Sequence, residues 1–331
     1  MGWKGTLRSI AAAQRRAERE ALRRQRELER QRKKLEKMRE MERAAYEVQV
    51  YENYLDVLNS VHKDCSDNWD WEALKSANPP AEPQKENRYE NSAQRLLDSY
   101  KPSFIDKLLR RAEKKRVALE NKVEEGRKKD ESEHKNSMKE FEQKYEEWKS
   151  LRDLSTRILA GDEQAYIEAI NQADIFEEIK QLGSWVEFKT HGNELIQATV
   201  HVNSEEVIPN ETKTLLKSGK LSVKKMPKTR FYGLYQDYVC GCVLRVAREL
   251  FALLPIEMTI VTAVAKLLNT ATGHLEDQPI LSVAIPRDTI NGLNFSRLDP
   301  SDSMDNFVHK MKCLKTKGFR AVEEIAPTDF L

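Results

Sequence analysis

The sequence predicts an α+β protein in two parts. Residues 1–160 form long charged helices, as a coiled coil or a helical hairpin, and residues 161–331 form a compact α+β domain, its strand order compatible with a restriction-endonuclease-like topology. Three observations predict this. Residues 1–44 carry 15 Lys or Arg against 7 Glu, with no Pro and no Gly after Gly5. A proline-rich break at 76–102 separates two stretches of helical periodicity. Near Trp185 that periodicity gives way to the period of two that marks strands.

The first helix is expected from about Leu7 to about His62. Its heptad seam is only half apolar, with Leu7, Ile10, Leu28, Leu35 and Met38 interrupted by Gln14, Arg24, Gln31 and Glu42. Charge pairs such as Glu20 with Arg24 and Glu29 with Lys33 support it instead, at about 0.2 to 0.5 kcal/mol each. From Ala45 the pattern changes: Val48, Tyr51, Leu55, Leu58 and His62 fall on one face and require a partner helix. Trp69 and Trp71 follow in a short segment, where packing at a hairpin turn is favoured over stacking on bases. Pro79, Pro80, Pro83 and Pro102 forbid a continuous helix through this region.

A second helix is expected to start at Ser103 as N-cap and to run to about Leu159, with Gly126 as a weak point. Met138, Phe141, Tyr145, Trp148 and Leu151 form its later apolar face. Both helices would be about 80 Å long. Equal lengths joined by a proline-rich turn argue for an antiparallel hairpin, and self-association through the same faces is the other way to cover them.

In the globular part, Asp162 caps a helix from Glu163 to Leu182 that ends at Gly183. Trp185–Thr190 and Glu194–Val202 alternate as a hairpin around His191-Gly192-Asn193, and Leu221–Lys225 reads as a third short strand. A helix over Thr229–Leu254, strands at Met258–Val264 and Ile280–Ile285, and short helices at Asp288–Leu293 and Asp302–Met311 complete the domain.

The net charge of +2 conceals segregation, because residues 1–44 hold a surplus of 8 and the seven cations Lys213, Lys217, Lys220, Lys224, Lys225, Lys228 and Arg230 have no acid among them. Such clusters suit phosphates, since each neutralised phosphate releases condensed counterions. They equally suit an acidic protein partner, or the plain task of keeping a strand edge soluble. A divalent-metal nuclease would need a Glu-x-Lys motif on its third strand. Glu187-Phe188-Lys189 has that form but lies on the first strand, so an active constellation is absent or displaced.

Other chemistry finds little support. Gly219-Lys220 lacks the rest of a phosphate-binding loop, and the six histidines show no zinc spacing. Cys240 and Cys242 point in different directions on a helix, so no metal and no cofactor is expected. Four scattered cysteines fit a reducing, cytoplasmic setting, and no apolar run approaches the length that spans a bilayer, so no membrane partner is expected.

Phe231–Pro255, with Ile280–Pro286, Leu298–Met304 and Lys315–Phe319, resembles the C-terminal part of uncharacterised bacterial proteins. The resemblance implies a bacterial cytosolic origin and carries over no activity or site. The sequence therefore points to a non-enzymatic interaction or scaffold protein, homo-oligomeric through its helical arm and binding nucleic acid non-specifically or an acidic protein. A degenerate metal-dependent nuclease built on Glu187 and Lys189 is the alternative.

Overall fold

The computed structural model describes residues 40–102, 111–176 and 184–330. The basic stretch before Glu40, the cap at Ser103 and the segment 177–183 lie outside the described residues. The chain is mixed α+β, as expected, with one long helix and a mixed sheet. In chain order the elements are α1 (Glu40–Ser60), α2 (Trp71–Ser76), α3 (Arg88–Asp98), α4 (Ala112–Leu159), α5 (Glu163–Ala173), β1 (Trp185–His191) and β2 (Leu195–His201). There follow β3 (Glu211–Leu215), β4 (Leu221–Lys225), α6 (Lys228–Leu253), β5 (Met258–Leu268), β6 (Leu275–Pro286), α7 (Arg287–Asn291), β7 (Val308–Met311), β8 (Cys313–Leu314) and β9 (Gly318–Phe319).

The chain divides into two compact units, which do not follow the boundary expected at 160. Among the described residues, 73–153 form one, and 40–72 with 154–330 form the other. In the first, α3 arises inside the proline-rich break, after the last of Pro79, Pro80 and Pro83. Its first turn is capped by the buried Asp130 of α4, which accepts from the N–H of Glu90 at 2.8 Å and of Tyr89 at 3.1 Å. Burial alone would raise this carboxyl's pKa, yet those two amide hydrogens, together with the charges of Arg88 and Lys85, outweigh it and hold the group below its ordinary value. Gly126 is not a break: α4 runs through it, and a Cβ there would lie 2.8 Å from the Tyr89 carbonyl. It is the glycine that lets α3 approach. Further along α4, Trp148 Nε1–H donates to the Ala77 carbonyl at 2.8 Å.

In the second unit a five-stranded sheet has the order β1-β2-β5-β6-β7, with β2 and β5 parallel and the other neighbours antiparallel. The parallel pair requires a crossover, and α6 supplies it. Ile196, Ala198 and Val200 of β2 share a face with Val261 and Ala263 of β5, all fully buried, and α6 packs on these two strands. On the opposite face Leu195, Ile260 and Ala284 are covered by Ile325 from the C-terminal segment, whose N–H donates to Ser282 Oγ at 3.0 Å. Covered on both faces, β5 and β6 read as continuous apolar runs.

Three further expectations need correction. The strand Leu221–Lys225 exists, but as β4 it pairs only with β3, in a two-stranded ribbon apart from the main sheet. The helix over Asp302–Met311 is a single 3₁₀ turn at Asp302–Asn306 followed by β7, because the free edge of β6 offers ladder bonds that a four-residue helical extension cannot match. The helix from Glu163 stops at Ala173, where Asp174 takes a left-handed φ of 46°. Its cap is as expected, with Asp162 accepting from the Gln164 N–H at 2.9 Å.

The apolar face of α1 finds its cover within the chain. Val48, Tyr51, Leu55 and Leu58 are buried, and α1 packs against α6 and both strands of the ribbon. At its end His62 is 1% exposed, and its ring nitrogens bond to nothing among the described residues. Burial, with Lys63 and Arg248 nearby, lowers its pKa from 6.5, while Asp299 and Asp64 oppose this. The unfolded chain therefore binds the proton more readily than the folded one, so stability is full above the unfolded value and falls as pH drops through 6.5 toward the folded pKa. Urea unfolding between neutral and mildly acidic pH should show a slope that approaches about 1.4 kcal/mol per pH unit from this group. His62→Leu should remove that contribution, and an unchanged slope would show that the ring does not remain neutral when folded.

Candidate nucleic-acid interface

Five of the seven expected cations lie on the ribbon β3–β4. Leu216 N–H donates to the Lys220 carbonyl and Gly219 N–H to the Leu216 carbonyl, both at 2.9 Å, while Gly219 takes a φ of 76°. This is the geometry of a turn closed by a glycine bulge, which fixes Lys217 and Lys220 on either side of a short rigid tip. A Cβ at Gly219 would lie 2.5 Å from Met41 Cε, so the start of α1 is seated on that tip. Met41 thus lies beside the turn that carries Lys217 and Lys220, about 180 residues away in sequence.

The pairing register divides the lysines between two faces. Lys213 and Lys225 share one with Glu211, whereas Lys224 lies on the other opposite Thr212. Lys213 Nζ is ion-paired with Glu47 Oε2 of α1 at 3.1 Å, and Lys225 stands across the ladder from Glu211. Because both Lys213 and Glu47 are one-third exposed, their bond contributes no more than about 1 kcal/mol. Lys217, Lys220, Lys224, Lys225, Lys228 and Arg230 are exposed and make no ion pair among the described residues.

Lys228 and Arg230 occupy the first turn of α6, where the N-cap is Pro227, no side chain caps the helix and no acid is present. The first amide hydrogens of a helix lack internal partners, and the macrodipole adds about half a positive charge there. Two cations on that end oppose the dipole. The same arrangement of N–H groups and positive charge suits a phosphate.

Among the described residues, no carboxylate stands across the strand pair from the alternative Glu187 and Lys189. Glu187 and Lys189 are exposed on β1, an edge strand, opposite Thr199 and Gln197 rather than a carboxylate. No group of three or more His, Cys, Asp or Glu side chains able to hold a metal lies among the described residues. Cys240 and Cys242 are buried in α6, where burial pushes the Cys242 thiol up to about 12 and Cys240 well above its ordinary value. Trp71 is buried and donates from Nε1 to the Leu253 carbonyl at 2.5 Å, with Trp69 stacked on it, so this pair docks on the end of α6. No helix among the described residues is long and apolar enough to cross a membrane.

Sequence reasoning named Lys228 and Arg230 but missed that they stand in an uncapped first helical turn, although Pro227 followed by Lys228 without an acid in the next turn was a visible signal. It also missed the acids beside the lysines, of which Glu47 pairs with Lys213. Glu211 falls just outside the basic run and Glu47 lies far off in sequence. No protein-family model matches the chain, and neither the curated proteins nor the solved structures hold a significant match to it.

The charge at the start of α6 has a measurable cost. Lys228→Glu should place an acid against the positive end of the helix and raise stability by about 0.3 to 1 kcal/mol, read as a higher midpoint of thermal unfolding. A lowered midpoint would mean that Lys228 is already compensated.

Proposed function

We propose that this is a non-enzymatic interaction protein, a scaffold whose basic surface binds nucleic acid through its phosphates and without reading sequence. The observation that carries the proposal is convergence. The ribbon tip with its lysines and the uncapped first turn of α6 with Lys228 and Arg230 belong to one compact unit, with α1 seated on the tip. Lysines on a short ribbon reach phosphates and carry little base information, which supports sequence tolerance. Self-association remains part of the proposal, but α1 no longer motivates it, since its apolar face is buried in its own chain. Light scattering on the full chain measures that state directly.

Gel-shift titrations at several salt concentrations test the reading. Affinity should fall steeply with salt, with a log-log slope of about −0.9 for each duplex phosphate contacted. Replacing Lys217, Lys220, Lys224 and Lys228 with Gln should flatten the slope by roughly two to four contacts. Lys213→Gln should do less, because Lys213 is already engaged with Glu47. Absence of binding at low salt, or a slope indifferent to the four substitutions, would return the surface to a solubility role or an acidic protein partner. Incubation with plasmid DNA and Mg²⁺ or Mn²⁺ addresses the nuclease alternative, which requires cleavage that Glu187→Ala abolishes.

A further inference from the structure

Edge strand β1 presents an aromatic surface that the basic ribbon does not use. Trp185 is 46% exposed. Its ring lies on that of His201, its register partner on β2, with centroids 3.5 Å apart and planes within 4°. One face of the indole is therefore held by the imidazole, which fixes the side chain, and the exposed surface is that of a ring already oriented. Tryptophan is seldom left so accessible on a folded chain. Alternation along the strands places Glu187 and Lys189 of β1, with Thr199 and Gln197 of β2, on the same side of the sheet. His191 Nε2 and Gln197 Oε1 are hydrogen-bonded at 3.1 Å, which orders the far end of this row. The surface is thus one planar ring followed by side chains that can donate and accept hydrogen bonds.

We infer that Trp185 is a stacking platform for an unpaired nucleobase, and that the protein therefore prefers single-stranded nucleic acid to duplex. The inference rests on the proposed nucleic-acid function and specifies its substrate. A duplex buries the faces of its bases and offers an exposed indole nothing to stack on, whereas a single strand offers base faces along its whole length. A ring already fixed by His201 loses little freedom when a base is added, so most of the stacking energy is retained. Lys189 suits a phosphate or a base carbonyl. Glu187, the acid in the row, would repel a phosphate and can accept instead from an exocyclic amino group of a base.

The test compares binding of the full chain to a fluorescein-labelled thymidine oligomer and to a labelled duplex of equal length, by anisotropy at fixed low salt. The wild type should bind the single strand about tenfold more tightly, and Trp185→Ala should erase that difference while leaving duplex affinity and its salt slope unchanged. Trp185→Phe should keep part of the preference because a smaller ring still stacks. Unchanged thermal unfolding of both variants would exclude a general loss of structure. Equal affinity of the wild type for the two oligomers, or a preference that survives Trp185→Ala, would overturn the inference and leave phosphate binding standing. Binding to neither oligomer would instead overturn the proposed function itself.

Discussion

The second unit depends on burying α6, a helix surrounded on nearly every side, without leaving its polar groups unmet. From Tyr235 onward almost every residue is buried, including Arg245 and Glu249, which form an ion pair at 2.7 Å inside the unit. A buried pair of this kind adds little net stability, yet removing one partner leaves a charge stranded at a cost of about 3 to 5 kcal/mol. Glu249 also accepts from the Ser66 N–H at 3.2 Å, so the pair ties down the chain that follows α1. The C-terminal carbonyls of α6 are met from outside the helix. Arg287, which begins α7, donates to the carbonyls of Phe251 at 3.1 Å, Ile256 at 2.6 Å and Leu254. A guanidinium at this end also complements the negative pole of the helix. Trp69 N–H reaches the Ala252 carbonyl at 2.8 Å, beside the Trp71 bond to Leu253.

These bonds explain why α1 belongs to this unit. The segment after α1 carries the two tryptophans that finish the end of α6, and Arg248 Nη1 donates to the His62 carbonyl at 2.7 Å. The crossover helix α6 is thereby fixed at its C-terminal end and has no side-chain cap at its N-terminal end. Structure and candidate function meet at that asymmetry. The capping lies at one terminus, and the other carries two cations and no side-chain cap.

Much of this was legible in the sequence. β1, β2 and β4, α6, the core of β5 and β6, and the Asp162 cap follow from local periodicity and turn chemistry, because each is decided by residues close together. Gly126 and Asp130 were misread or unseen, since a glycine inside a charged helix looks like a weak point until α3 crosses it. β3 and β7 escaped because their pairing partners decide them: Glu211–Leu215 is polar and short, and Val308–Met311 continues a helical pattern. The basic run was visible as composition, but its division by Glu47 and Glu211 exists only in the ribbon's register. Trp185 stood out as a strand residue, and only its stack on His201 distinguishes it from an ordinary edge aromatic.

The central claim is that the uncapped start of α6 and the adjoining ribbon form one anion-binding surface. Hydrogen exchange of the full chain, measured with and without a thymidine oligomer, tests this most directly. The amides of Thr229 and Arg230 lack helical acceptors and should exchange fast in the free protein, then slow when phosphate oxygens accept from them, together with amides at the Lys217–Lys220 turn. The C-terminal half of α6 should not change. Protection confined to other parts of the chain, or none at Thr229 and Arg230 under conditions where the oligomer is bound, would contradict the account.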